Sequence, residues 1–167
     1  MIQNFMFGDE KQQLEVIKYF RQLLFKEPDL FVDILGGIAP KFVEFLKDGS
    51  INHQFEAAWA LSNIAVGNSF QTSCVVDAGA LPVLIHLLSS PSENVQKEAF
   101  WCLGNIAADC PECRDLVLDH DILSSLSQYV FNKMERSNKY CNSYMFRFIS
   151  LPFFFFIKQA NKNFFYY

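Results

Sequence analysis

Apolar and polar residues follow each other along most of this chain with the spacing of amphipathic helices. Between Lys11 and Lys26, apolar Leu14, Ile17 and Leu24 are separated by charged and polar residues, which predicts a helix. No stretch alternates strictly enough, one residue in and one residue out, to predict a strand. The pattern therefore predicts an all-α protein.

Proline, glycine and small polar residues divide the rest of the chain into a recurring order of short, medium and long helices. Gly36 and Gly37 are expected to end a short helix, Pro40 to begin the next one, and Ser69 to cap another. Gly79 is expected to separate two helices. The predicted helices span residues 31–35, 40–48, 54–66, 70–77, 94–108, 111–118 and 122–130, with a further helix beginning at 82.

One segment of the long helix occurs twice. Residues 55–65 read FEAAWALSNIA and residues 97–107 read KEAFWCLGNIA, an offset of 42 residues. The same offset relates residues 37–46 to 79–88, and residues 121–130 are a weaker third copy. A fixed period near 40 is typical of a helical solenoid, which usually serves as a binding surface.

A Trp and an Asn lie four residues apart in each copy, as Trp59 with Asn63 and Trp101 with Asn105. On a helix this spacing places both side chains on one face, one turn apart. A Trp at helical spacing is ordinarily part of a core. Here the Ala, Leu and Ile residues of each helix already supply an apolar face, so the two Trp–Asn pairs are candidates for a binding site.

Charge is distributed unevenly along the chain. Residues 1–130 contain 8 Lys/Arg and 17 Asp/Glu, a net charge of −9, whereas residues 131–167 contain 6 Lys/Arg and 1 Asp/Glu, a net charge of +5. An acidic solenoid repels a nucleic-acid backbone, so no nucleic-acid partner is expected. It suits a cationic partner such as a Lys/Arg-rich peptide.

Residues 131–167 do not continue the 42-residue period. They contain nine Phe and four Tyr, and we interpret them as a divergent tail without a fold of its own. The most apolar stretch, residues 144–157, has only 14 positions and is interrupted by Arg147 and Pro152. A membrane-spanning helix needs about 20 apolar residues, so no membrane partner is expected.

Cysteine usage and the reactive side chains argue against an enzyme or a metalloprotein. The five Cys are an odd number at irregular spacing, which is typical of a reduced, intracellular protein. The spacing of Cys110 and Cys113 invites a metal or redox interpretation, but His120 is the only nearby further candidate and a zinc site needs four ligands. We therefore predict no metal, no cofactor and no catalytic residue.

The two copies of the Trp–Asn segment resemble armadillo repeats of the importin-α family. Residues 75–82 (VVDAGALP) and 114–117 (RDLV) share the resemblance, which extends from residue 9 to about residue 130. It implies an all-α, right-handed superhelical armadillo solenoid, truncated to its first repeats and followed by the non-repeat tail. Residues 9–26 resemble the last helix of the first repeat, residues 27–68 and 69–110 the second and third repeats, and residues 111–130 the start of the fourth.

The resemblance also implies a function, which is to carry proteins with a basic nuclear localisation signal into the nucleus. The implied partner is an extended Lys/Arg-rich peptide, whose backbone pairs with Asn63 and Asn105. Its aliphatic stems lie against Trp59 and Trp101, which add cation–π attraction of about 0.5–2 kcal/mol per contact. The implied location is the cytoplasm and the nucleus.

A second set of residues is implied to select lysine. In the family, one lysine is held by an aspartate, a threonine hydroxyl and a backbone carbonyl, and the matching positions here are Asp109, Thr72 and Gly67. Charge-assisted bonds of this kind contribute about 1.5–3 kcal/mol. Glu98 stands where the family usually has Gln, and its carboxylate is still able to accept from a cationic peptide.

The chain departs from the family pattern at further positions, among them Ala108, which stands where the family usually has Gly before the aspartate. Ile17 and Arg21 occupy the positions that correspond to Trp59 and Asn63, so two rungs of the Trp–Asn ladder are expected. The amino-terminal segment that binds importin-β in the family has no counterpart, so importin-β is not expected as a firm partner. An alternative interpretation is a truncated, non-transporting armadillo fragment with a regulatory, structural or protein-interaction role.

Overall fold

The computed structural model describes residues 2–26, 35–120 and 122–137. Within these ranges the regular structure is helical and no strand occurs. The prediction of an all-α fold is confirmed. The helices are α1 (Ile2–Phe7), α2 (Glu10–Lys26), α3 (Leu35–Asp48), α4 (Ile51–Ala65), α5 (Ser69–Asp77), α6 (Ala80–Leu87), α7 (Glu93–Asp109), α8 (Pro111–Asp119) and α9 (Ile122–Ser137).

Several predicted boundaries agree closely with the structure. α4 begins three residues before the predicted start at 54, and α7 extends the predicted span 94–108 by one residue at each end. Gly79 separates α5 from α6 with a φ of 77°, a left-handed conformation that favours glycine. Two short helices, α5 and α6, thus precede the long helix α7, and the three form one repeat.

The predicted break between residues 35 and 40 is wrong. α3 runs without interruption through Gly36, Gly37 and Pro40. Pro40 is the sixth residue of this helix, where its missing N–H removes one bond to the carbonyl four residues earlier. That carbonyl belongs to Gly36 in the first turn, so α3 lacks a single backbone hydrogen bond, close to its amino-terminal end. The rest of the predicted short helix, residues 31–34, lies outside the described ranges.

The cap of α5 also differs from the prediction. Asn68, not Ser69, is the N-cap residue. Its side chain accepts a hydrogen bond from the backbone N–H of Gln71, and the Gln71 side chain accepts one from the backbone N–H of Asn68. This reciprocal arrangement is a capping box. Ser69 is therefore the first residue of α5, and its hydroxyl bonds to α7 instead.

α1 is a helix that the hydrophobic pattern did not predict, since six residues are too few to show a period. Its Phe5 is buried and makes edge-to-face contacts with Phe20 of α2 and with Phe42 and Phe45 of α3. Ring pairs of this geometry contribute about 0.5–1.5 kcal/mol each beyond the burial of area. α1 therefore covers apolar surface shared by α2 and α3.

α4 is the central helix of the core. It packs against α2, α3 and α7. Its alanines at positions 57, 58 and 60 are fully buried, and so are Leu61 and Ile64. Because α4 contributes buried side chains to contacts with helices before and after it, neighbouring repeats share one continuous core, as in other solenoids.

α9 continues past residue 130, where the sequence repeat ends, and finishes at Ser137. Residues 138–167, which include the apolar stretch at 144–157, lie outside the described ranges. Among the helices that the structure describes, none is by itself long and apolar enough to cross a membrane. α5 and α6 meet the criteria of length and composition only when they are counted together, across a bend of 79°.

Candidate peptide-binding site

The two Trp–Asn pairs lie on α4 and α7, which pack against each other. We call the surface formed by Trp59, Asn63, Trp101 and Asn105 the ladder face. The buried positions of both helices are filled by other side chains, while Trp101 is 42% exposed and Trp59 is half-buried. Both indoles are therefore partly accessible, which a purely core role does not require.

Each Asn of the ladder face is tied to the repeat before it. Nδ2 of Asn63 donates to the carbonyl of Arg21 at 3.1 Å, and Nδ2 of Asn105 donates to the carbonyl and the hydroxyl of Ser62 at 3.3 and 3.0 Å. These partners lie 42 and 43 residues earlier, about one repeat. A carboxamide also has an oxygen acceptor, and among the described residues nothing donates to either Oδ1. The bonds thus orient each side chain and leave its oxygen for a ligand.

Trp59 carries an internal cation on its ring. The guanidinium carbon of Arg21, on α2, lies 4.0 Å from the ring centroid, and Nε of Arg21 donates to Oε2 of Glu56. Phe55 packs edge-on against the same indole, with 5.6 Å between the ring centroids. The sequence marked Arg21 only as a departure from the Trp–Asn pattern. Its contact with Trp59 joins residues 38 positions apart, so no local pattern could have indicated it.

Glu98 lies within electrostatic reach of this cluster. It is half-buried on α7, and the loss of hydration raises the pKa of its carboxyl. Lys97 and Arg21 oppose the shift, and the charge of Glu56 adds to it. The carboxylates of Glu56 and Glu98 therefore both act on Arg21, the cation that lies over Trp59. A concentration of negative charge beside aromatic rings favours the binding of cations.

Asp109, the last residue of α7, is held by two neighbours. Its Oδ1 accepts from the hydroxyl of Ser69 at 3.1 Å, and its Oδ2 accepts from the thiol of Cys113 at 3.7 Å. Burial raises the pKa of the Cys113 thiol to about 12, and the adjacent Cys110 and Asp109 contribute to the shift. At neutral pH this thiol is therefore protonated and able to donate. Ser69, which the sequence suggested as a cap, therefore connects Asp109 to α5.

Gly67 and Thr72 differ in accessibility. The Thr72 side chain is fully buried, and its hydroxyl is 3.4 Å from two backbone carbonyls, those of Ala65 and Asn68. Gly67 is exposed, and a side chain there would collide with the Gln71 amide, whose oxygen would lie 1.7 Å from the added Cβ. The structure thus brings Gly67 and Asp109 to accessible positions, whereas the hydroxyl of Thr72 is turned inward and must rotate to meet a ligand.

Two comparisons define the class of protein. The armadillo/beta-catenin-like repeat family matches residues 37–66 and 69–108. Among solved structures, the fold matches a designed armadillo repeat protein in complex with the peptide (KR)4, with a TM-score of 0.71 and 30% identity, covering 76% of this chain and 54% of that one. An engineered protein matches with a TM-score of 0.70 and 34% identity, covering 74% and 52%. The fold is an armadillo-repeat solenoid.

Curated relatives narrow this class. Importin subunit alpha-1a of Oryza sativa subsp. japonica is 43% identical over 121 residues, covering 71% of this chain and 23% of that protein. Importin subunit alpha-6 of Arabidopsis thaliana is 46% identical over 129 residues, covering 75% and 24%. The chain belongs to the importin-α family, as the sequence motifs indicated. It spans about a quarter of the length of these relatives.

Proposed function

We propose that this chain binds extended Lys/Arg-rich peptides on its ladder face and recognises them as nuclear localisation signals, in the manner of a nuclear import adaptor of the cytoplasm and nucleus. The observation that carries the proposal is the exposed indole of Trp101. It stands on a helix whose core positions are already filled, one turn before Asn105 and two turns before Asp109. The indole would contact the aliphatic stem of a lysine residue, the carboxamide its backbone and the carboxylate its ammonium group.

The backbone of the peptide would be recognised by the two Asn side chains. A bound strand has N–H and C=O groups that lose water, and these need partners when they are covered. The oxygens of Asn63 and Asn105 accept from peptide N–H groups without regard to side-chain identity. Because both carboxamides are already oriented by the preceding repeat, little side-chain entropy is lost when a peptide binds.

The charges of the peptide would be recognised by indole rings and carboxylates. Arg21 provides an internal example, since its guanidinium lies over Trp59 and bonds to Glu56. A peptide cation at Trp101 would meet the same chemistry, with Glu98 and Asp109 as the carboxylates. The designed armadillo protein of matching fold is described in complex with a peptide of alternating Lys and Arg, which supports this type of ligand.

The test is a titration of the purified chain into a fluorescently labelled lysine-rich peptide, followed by fluorescence anisotropy. Trp101→Ala should weaken binding at least tenfold, since it removes a cation–π contact and the wall for an aliphatic stem. A peptide of the same length with Gln in place of Lys should bind far more weakly to the wild type.

The matched control is Leu123→Ala, which removes another exposed apolar side chain, 54% accessible on α9. It should leave peptide affinity unchanged. Equal affinities of the wild type and Trp101→Ala, with both proteins folded by circular dichroism, would refute the proposal.

A further inference from the structure

Three side chains at the junction of α7 and α8 converge outside the Trp–Asn pairs. The carboxylate of Asp109 and the sulfur atoms of Cys110 and Cys113 all lie within 4.8 Å of one another. Asp109 and Cys110 are partly accessible, and Cys113 is buried. Asp109, the third member of this group, is not found when only cysteine and histidine are counted as ligands.

The local fold explains why these side chains meet. α7 ends at Asp109, and Cys110 is at once the residue after α7 and the N-cap of α8. Its sulfur accepts from the backbone N–H of Cys113 at 3.1 Å, which brings the two sulfurs together over the first turn. Pro111 at the first position of α8 fixes the backbone between them.

The donor set has the chemistry of a soft divalent cation site. Two thiolates and one carboxylate suit Zn²⁺ or its analogue Cd²⁺ better than Mg²⁺ or Ca²⁺, which prefer oxygen alone. A tetrahedral Zn²⁺ with Zn–S bonds of about 2.3 Å needs ligand atoms about 3.8 Å apart. Small rotations of side chains already within 4.8 Å reach that spacing, and the open side leaves room for water as the fourth ligand.

We propose that Asp109, Cys110 and Cys113 form a Zn²⁺ site, and that metal at this site competes with a lysine-rich peptide. On binding, each thiol releases its proton to solvent and the sulfur becomes the ligand. Ser69 keeps its bond to Oδ1 of Asp109 and orients Oδ2 towards the metal, as an outer partner of a ligating carboxylate does. The competition rests on the proposed function, because there the same carboxylate receives the lysine ammonium.

The metal site is tested first, without peptide. Cd²⁺ is titrated into the full chain under reducing conditions, and binding is followed by thiolate-to-Cd²⁺ charge-transfer absorption. We expect one saturable site, weakened at least tenfold in Cys110→Ser and in Asp109→Asn. Serine is a good N-cap residue, so Cys110→Ser removes a ligand and keeps the start of α8.

Cys74→Ser is the matched control, since Cys74 is another partly accessible free thiol. It should leave the affinity for Cd²⁺ unchanged. The metal site is refuted if Cys110→Ser binds Cd²⁺ as tightly as the wild type, or if Cys74→Ser abolishes the signal.

The competition is tested with a labelled lysine-rich peptide that contains neither His nor Cys. Saturating Zn²⁺ should weaken peptide binding at least tenfold in the wild type and less than twofold in Cys110→Ser. Unchanged affinity in the wild type would refute the competition. Absence of peptide binding without metal would instead refute the proposed function, and the Cd²⁺ titration would still decide the metal site.

Discussion

Trp59 and Trp101 occupy equivalent positions in consecutive repeats, yet their surroundings differ. Arg21 lies over the ring of Trp59 and bonds to Glu56, and that indole is half-buried. Trp101 is 42% exposed, and the residue 38 positions before it is Asn63. Arg21, which occupies the ladder position of the first repeat, therefore supplies the cation that covers the indole of the next repeat.

One surface of this chain therefore has two uses. Trp59 and the carboxylate of Glu56 bind Arg21, a cation of the same chain, and hold α2 against α4. Trp101 is 42% exposed, and under the proposed function a peptide cation lies over its ring. Four substitutions test this contrast, and they follow in decreasing order of the change expected in stability or affinity.

Arg21→Asn makes the surroundings of Trp59 resemble those of Trp101. It should lower the free energy of unfolding by about 3 kcal/mol, because the largely buried carboxylate of Glu56 loses its partner. Urea denaturation gives the value. Arg21→Asn combined with Glu56→Gln should recover a large part of the loss, since no unpaired charge is left. If the single and double variants are equally unstable, the pair does not hold α2 against α4.

Asn63→Arg makes the surroundings of Trp101 resemble those of Trp59. The new guanidinium should cover Trp101 and weaken the binding of a lysine-rich peptide about tenfold, or about 1.4 kcal/mol. Fluorescence anisotropy measures the change. Asn63→Ala separates the loss of the carboxamide from the covering of the ring, and Asn94→Arg adds the same charge to an exposed part of α7. Equal losses in Asn63→Arg and Asn63→Ala would contradict the explanation.

Asn105→Ala removes the bonds from α7 to Ser62 on α4. We expect a loss of about 1 kcal/mol in the free energy of unfolding, the usual net contribution of such a bond. The thermal or urea transition gives the measurement. Asn94→Ala, at an exposed position of the same helix, should cause no loss, and equal effects of the two would show that the inter-repeat bond does not contribute.

Glu98→Gln should have the smallest effect, visible as a change in pH dependence. Burial raises the pKa of Glu98 above its ordinary value of 4.5. The folded state then holds its proton to higher pH than the unfolded state does, so wild-type stability falls as pH rises from 4.5 through the folded-state pKa. Across that pH window the free energy of unfolding of Glu98→Gln should rise relative to that of the wild type, and the difference should persist at pH 7. Parallel stability curves for the two proteins from pH 4 to 7 would contradict this.

The sequence predicted those parts of the fold that depend on local pattern. The 42-residue offset located α4 and α7 with their Trp–Asn pairs, and Gly79 was correctly expected between two helices. The break predicted at Gly36 and Gly37 was wrong because a helix tolerates weak formers near its start when its later turns bury an apolar face. α1 was missed because its single anchor, Phe5, shows no period.

The site was less predictable, since its contacts join different repeats. Asn63 and Asn105 could be named from spacing, but their bonds to the preceding repeat depend on how helices stack. The position of Arg21 over the ring of Trp59 likewise depends on how the helices stack. Ser69 was read as a local cap, whereas its hydroxyl reaches a carboxylate 40 residues away. Side chains that join elements distant in sequence leave no periodic signal.

The fully buried alanines of α4 have a consequence for the curvature of the solenoid. Interaxial distances between helices depend on the side chains at the contact, and α4 presents only methyl groups at positions 57, 58 and 60. The ladder face carries indole rings instead. A larger residue at Ala60 would therefore alter the pitch between successive repeats, and with it the register at which Trp59 and Trp101 meet a peptide, without touching the peptide itself.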